Sequence, residues 1–178
     1  MRFAPSDDSL LLASTVRDLL AKECPPEVVR STWEPGAPAV PAELWGRLGE
    51  MGVLGVLAPE RVGGMALDEV DLVLVLEEAG RAALPGPAAE QAMVGVPALV
   101  EAGRDDEAAR AAAGEAVVAV GFGGTAAWLE GADVAVLERD GRLYAVEPST
   151  VEARPRASVD RSRLAKPSAS RLSRRFRP

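Results

Sequence analysis

The sequence predicts an α+β fold in which an all-α helical bundle comes first and a partial, mostly antiparallel β domain follows. Three observations carry this. Apolar residues recur at helical spacing up to Gly114. Beyond that point β-type runs take over, as in "AVVAVGF" (Ala116–Phe122) and "ADVAVLERDGRLYAVE" (Ala132–Glu147). Within the second run, Asp140–Gly141 sits between two apolar halves, the strongest short-range hairpin signal. Segregated helices and strands mean α+β, or an α domain joined to a β domain.

Each element has a local reason. Ser6 precedes Asp7 and Asp8, a cap followed by acids suited to the positive end of a helix dipole. Leu12, Val16, Leu19 and Leu20 then share one helical face, until Pro25 and Pro26 stop the helix. Pro26 suits the first turn of a second, short helix. "EPGAPAVP" (Glu34–Pro41) reads as a loop. Pro41 opens a third helix with Leu44, Trp45, Leu48 and Met51 on one face and Gly52 as its C-terminal stop. In "LGVLAPERVGGM" (Leu54–Met65), Pro59 ends an apolar run and Gly63–Gly64 turn the chain. No phosphate-loop Lys-Ser/Thr pair follows, so this is a turn and not a phosphate site. Asp68 caps the next helix, Leu67–Ala83, which is apolar nearly all round between Val70 and Leu76 and is expected to be central and buried. Ala88–Gly103 reads as a helix kinked at Pro97, and Asp105–Ala113 as a last one closed by Gly114.

Composition bounds the chemistry. The chain has 178 residues, 48% hydrophobic and 26% charged, a globular balance with an aliphatic core because aromatics are only 4%. There is no histidine, which excludes Ser-His-Asp and Cys-His nucleophile systems and most zinc sites within the chain; no metal site is expected. The single cysteine, Cys24, cannot form an internal disulfide, and its place at a helix C-terminus disfavours a thiolate. No basic segment leading into an apolar run opens the chain, and no apolar run nears the ~20 residues of a membrane span. The expectation is a soluble, cytoplasmic protein that binds neither membrane nor nucleic acid. Residues 1–153 carry 11 basic and 26 acidic side chains, whereas residues 154–178 carry nine basic ones and only Asp160. The tail "RLAKPSASRLSRRFRP" has no periodicity and reads as disordered. Its arginines could meet RNA, DNA or acidic lipid, but a solvated tail fits the acidic body better.

The order of these elements and several local words resemble the acyl-CoA dehydrogenases, from the N-terminus to about residue 166. The words are "LWGRLGEMGVLGVLAPERVGGM", "VLVLEEAGRAALPGP", "VPALVEAG" and "AAGEAVVAV", with "SVDRSRLAK" (Ser158–Lys166) similar to a segment late in the β domain. Actinobacterial members, including divergent partner subunits, are the most similar in style. On this resemblance residues 1–114 form the helical domain, 115–166 part of the middle β domain and 167–178 a disordered basic tail. The resemblance implies FAD, α,β-dehydrogenation of an acyl-CoA in fatty acid or steroid catabolism, and a homo- or hetero-oligomer with another acyl-CoA dehydrogenase subunit. A glutamate base takes the α proton and the flavin a hydride from the β carbon.

Three departures temper it. The family's base belongs to a C-terminal helical domain beyond the end of this chain, so no catalytic residue is assigned. The stretch "GFGGTAAWLEGAD" (Gly121–Asp133) is short and lacks the family's acid–Pro and Gly-Ser flavin-contact words. The basic tail matches nothing, which suggests a truncated or frameshifted product after about Lys166. The expectation is therefore a subunit or fragment inactive alone; the alternatives are a non-catalytic helical partner that binds no flavin, and a frame with no stable product.

Candidate contacts follow. Gly121, Gly123, Gly124 and Thr125 sit where amides and a hydroxyl could meet FAD, against the plainer reading of a loop between strands. Gln91 could line the acyl pocket, against an ordinary bundle position. Adjacent Glu77 and Glu78 point about 100° apart and so are not a facing pair; both are expected at the polar end of the buried helix. Trp33, Trp45 and Trp128 are expected in core or interface packing.

Overall fold

A computed structural model describes residues 5–34, 37–38, 40–155 and 165–167. Helices α1 (Asp7–Glu23), α2 (Pro26–Ser31), α3 (Ala42–Glu50) and α4 (Glu69–Arg81) come first. Between α3 and α4 run two short 3₁₀ turns, Val53–Gly55 and Glu60–Val62. Next come α5 (Ala88–Glu90), a wide π segment (Gln91–Gly95), α6 (Val96–Glu101) and α7 (Asp105–Ala112). The strands are β1 (Val118–Phe122), β2 (Thr125–Ala126), β3 (Val134–Arg139), β4 (Arg142–Val146), β5 (Ala153–Pro155) and β6 (Ala165–Pro167). They form one six-stranded sheet in the order β4-β3-β1-β2-β6-β5. Only β1 and β3 run parallel; the other neighbours are antiparallel. The α+β expectation holds. The tail expected to be disordered lies outside the described residues except for Ala165–Pro167, which instead form β6.

The first core joins α1, α3 and α4. Val16 and Leu20 of α1 meet Leu44, Trp45 and Leu48 of α3 and Leu72 and Val75 of α4. The indole Nε1 of Trp45 has no hydrogen-bond partner among the described residues, so this side chain serves as apolar volume. Trp128 packs against the same cluster, whereas Trp33 is half exposed.

α1 and α4 lie alongside each other and are joined at both ends. Ser6 caps α1 through the Ser9 amide, and the Ser9 hydroxyl donates to the Asp71 carboxylate. Asp71 in turn closes a capping box with Asp68 at the start of α4. Toward the other end, Arg17 donates to both carboxylate oxygens of Glu78, at 3.0 and 2.7 Å, and Arg81 adds a contact at 3.1 Å. Two expectations fail here. α4 is not buried all round: Leu72, Val75 and Glu78 face inward while Val73 is 60% exposed. And the two glutamates part company, since Glu77 faces solvent whereas Glu78 is buried. A buried carboxylate is stable there because two guanidinium groups satisfy it.

A second core couples helices to strands. Leu99 of α6 and Ala108, Ala111 and Ala112 of α7 pack against Val118, Val120, Val134, Val136 and Ala145 of the sheet. The alternate residues Ala119, Ala135 and Leu137 face the other way, under Ala126 and Leu129. The Ala88–Glu101 helix departs from α geometry just before Pro97, where the kink was expected. The Val96 amide reaches back to the Gln91 carbonyl, giving the wider turn of a π segment next to a residue that cannot donate. The Asp140–Gly141 hairpin forms as expected: Arg139 pairs with Arg142, and Asp140 and Gly141 take φ values of 53° and 74°.

The "VGG" turn separates two glycine functions. Gly63 adopts φ 76°, and a Cβ there would meet open space. Gly64 has an ordinary φ, but a Cβ there would lie 2.1 Å from the Ala58 carbonyl oxygen. Gly64→Ala should therefore lower stability by about 3 kcal/mol or more through forced backbone movement, and Gly63→Ala by about 1–2 kcal/mol through left-handed strain. Chemical denaturation of both variants checks the order; Gly63→Ala being the more damaging contradicts it.

The Arg17 hydrogen bonds hold the Glu78 carboxyl below its ordinary range, helped by the charges of Arg17 and Arg81 and opposed by burial. A folded-state pKa below the unfolded one adds stability above the ordinary carboxylate range, and that stability is lost as pH falls through the folded value. Glu78→Gln should be less stable than the parent at neutral pH, with the gap closing in acid. Unfolding curves at neutral and acid pH measure this; a gap that does not depend on pH would count against the pairing.

Candidate functional site

The glycine stretch after β1 folds as a tight hairpin. Phe122 pairs with Thr125, so Gly123 and Gly124 alone make the turn, with φ of 57° and 73°. Two successive left-handed residues match the twist of the strands, which explains a Gly-Gly pair here. Both glycines are exposed, Thr125 is half-buried, and Gly121 is buried between Ala126 and Leu137, where a Cβ would come within 2.8 Å of Leu137. A cleft of about 160 Å³ lies over the sheet here, lined by Gly121, Gly124, Thr125, Leu137, Glu138, Arg139 and Pro167. Three of the four flavin-contact candidates therefore line one cleft, with Gly123 in its turn. They do so at the carboxyl ends of the parallel strands β1 and β3.

Glu138 is the residue that sequence reasoning missed. It stands on β3, and its carboxylate accepts from the Gly141 amide at 2.8 Å and the Gly123 amide at 3.4 Å. It thus tethers the β3–β4 turn to the β1–β2 turn. Arg139, in the same cleft, lies 3.6 Å from the Asp140 carboxylate. The sequence offered no signal for this, since a Glu three residues before a hairpin Gly is an ordinary exposed position.

Gln91 is fully buried at the start of the π segment. Its Nε2 donates to the carbonyls of Ala111 (2.9 Å) and Ala116 (3.2 Å), and its Oε1 accepts from the Val118 amide at 2.7 Å. The amide is committed to the backbone of α7, β1 and the link between them.

Two further titratable groups are poorly suited to act as a base or nucleophile. Glu78 is kept anionic by two arginines, which weakens it as a proton acceptor. Burial pushes the Cys24 thiol up, toward the unreactive form. Cys24 borders a second groove of about 330 Å³ with Val29, Arg30, Trp33 and Arg81. Among the described residues there is no cluster of metal-ligating side chains, and no helix is long and apolar enough to cross a membrane.

The family resemblance implies FAD, which can be tested against this geometry. A cleft of 160 Å³ is below the roughly 300 Å³ at which small-molecule sites begin. The Glu138 carboxylate beside the turn also disfavours a pyrophosphate. The described residues do not by themselves fit the whole cofactor, and no chemical step is derived through it.

The fold, a helical bundle leading into a mixed sheet with a glycine hairpin at its first strand, is that of the acyl-CoA dehydrogenase class. The ChsE4-ChsE5 complex from Mycobacterium tuberculosis contains a chain of this fold, with a TM-score of 0.74, 21% identity and coverage of 96% of this chain and 58% of that one. A glutaryl-CoA dehydrogenase from Mycobacterium smegmatis, solved with FADH2, superposes with a TM-score of 0.69 at 20% identity, over 92% and 52% of the two chains. The family model for the N-terminal domain of acyl-CoA dehydrogenases matches residues 6–115, and the chain belongs to that family. The acyl-CoA dehydrogenase IpdE2 of Mycolicibacterium smegmatis is 30% identical over 161 residues, 89% of this chain and 50% of that protein. The chain thus spans half the length of that curated relative.

Replacing Gln91 by Leu would leave the Val118 amide and two carbonyls buried without partners. Each such group costs about 1–3 kcal/mol, so Gln91→Leu should lose about 3–5 kcal/mol, close to the whole stability of a domain this size. Thermal unfolding reads this directly. Unchanged stability with altered acyl-CoA binding would instead favour a pocket-lining role.

Proposed function

We propose that this chain is an acyl-CoA dehydrogenase-type subunit that works in FAD-dependent α,β-dehydrogenation of an acyl-CoA only together with a second acyl-CoA dehydrogenase subunit. The observation that carries the reading is the incomplete cleft at Gly121–Thr125. It has the position and the backbone amides of a cofactor edge but not the volume of a cofactor site. In the proposed assembly FAD lies across the subunit boundary, with Gly123, Gly124 and Thr125 contributing one wall. The base for the α proton comes from elsewhere in the assembly, because Glu78 and Glu138 are both engaged by hydrogen bonds. Family membership and the two-component complex formed by one structural relative support this reading. The aliphatic interior suits an apolar acyl group. Fatty acid and steroid catabolism, the latter the setting of another relative titled a steroid ACAD, are the proposed contexts. The proposed location is the cytoplasm.

A second reading has one observation in its favour: the Glu138 carboxylate stands in the cleft. On it the chain is a partner subunit that binds no flavin and serves assembly alone.

Expressing the chain alone and with a second acyl-CoA dehydrogenase subunit, and recording the visible spectrum of each purified sample, separates the two. The first reading expects a colourless chain alone and a yellow co-purified complex that bleaches when acyl-CoA is added. A yellow complex whose flavin content is unchanged by Gly124→Val, or a colourless complex, contradicts the shared wall.

A further inference from the structure

The cleft that carries the functional reading also contains its own anion. Gly123 and Gly124 are consecutive left-handed residues with open space outside them, and successive amides in such a turn form a concavity that attracts anions. Gly121 supplies no side chain there, and a Cβ on it would clash with Ala126, Leu137 and the Thr125 carbonyl. The group that does reach it is the Glu138 carboxylate. It is anchored at 2.8 Å to the Gly141 amide on the neighbouring turn and reaches the Gly123 amide at 3.4 Å. The short bond fixes where the carboxylate stands, and the long one leaves Gly123 only loosely engaged. Arg139 also lines the cleft and is paired with Asp140 at 3.6 Å.

We infer that Glu138 is a resident anion that closes the Gly123–Gly124 turn to phosphate-class oxyanions, and that removing its charge opens the turn amides to an oxyanion. A phosphate approaching the turn meets a fixed carboxylate within about 4 Å, a repulsion that even water-like screening leaves significant. With Glu138 neutral, the same approach finds the Gly123 amide with no fixed carboxylate against it. This adds a selection rule to the proposed cofactor wall: the turn accepts neutral parts of a cofactor and turns away its phosphates.

The test uses the full 178-residue chain, with inorganic pyrophosphate as the probe. Amide resonances of Gly123, Gly124 and Thr125 are followed by two-dimensional NMR at fixed ionic strength and pH. The parent protein should show no localised shifts. Glu138→Gln keeps an acceptor oxygen for the Gly141 amide and should show saturable shifts at Gly123 and Gly124, binding at least about fivefold tighter than the parent. Glu138→Ala, which removes the acceptor as well, should gain in the same direction. Glu130→Gln, which removes an equal charge from an exposed loop position, should gain nothing. Localised shifts in the parent at the same concentrations, no gain in either Glu138 variant, or an equal gain in Glu130→Gln would each overturn the inference. Because pyrophosphate carries no flavin, such a failure is distinct from failure of the flavin reading.

Discussion

One buried amide organises the junction between the helices and the sheet. Gln91 is fully enclosed, yet each of its polar atoms is used: Nε2 on the carbonyls of Ala111 and Ala116, Oε1 on the amide of Val118. These partners lie at the end of α7, in the link that follows, and at the first residue of β1. A hydrogen-bonded amide in an apolar setting is directional in a way that aliphatic packing is not. It fixes where β1 begins relative to α5 and α7, and hence the register of the parallel pair β1–β3 and the place of the hairpin at its end. The π segment belongs to the same arrangement, because it carries Gln91 and Gly95 against β1. A Cβ on Gly95 would sit 2.8 Å from the Val118 side chain.

The helical part is secured differently, by polar contacts at the two ends of one helix pair. Near their N-termini, α1 and α4 share a chain of caps running from Ser6 through Ser9 and Asp71 to Asp68. Toward their C-termini they share the Arg17–Glu78 pair, with Arg81 in support. Both devices use side chains that the helices present anyway, and the apolar contacts of Val16, Leu20, Leu72 and Val75 fill the space between. The outer face of α4 is left to solvent, which is why Val73 is exposed in a segment whose sequence is almost wholly apolar.

The candidate site inherits its limits from this scaffold. Small residues on one side of the sheet, Ala119, Gly121, Ala126 and Ala135, make a shallow surface and not a deep pocket. Its polarity comes from backbone amides of two hairpin turns, from Glu138 between them and from Thr125 and Arg139. Such a surface suits the proposed role of one wall in a shared site.

Much of the fold was legible in the sequence because its determinants are local. Ser6 and Asp68 as caps, Pro25–Pro26 as a stop, Asp140–Gly141 as a hairpin and the change of period after Gly114 each act through neighbouring residues, and each is found where expected. The family words, too, are contiguous strings. Local pattern could not say that Glu78 would be buried while Glu77 was exposed, because that depends on Arg17, sixty-one positions away. Nor could it say that Gln91 would bind backbone across 20 to 27 positions, or that Glu138 would reach the Gly123 turn. A sequence determines by itself what chain neighbours can enforce, namely turns, caps and periodicity. Which polar groups meet in the interior is decided by tertiary structure, because burial obliges every donor and acceptor to find a partner, and that partner is set by packing and not by position along the chain.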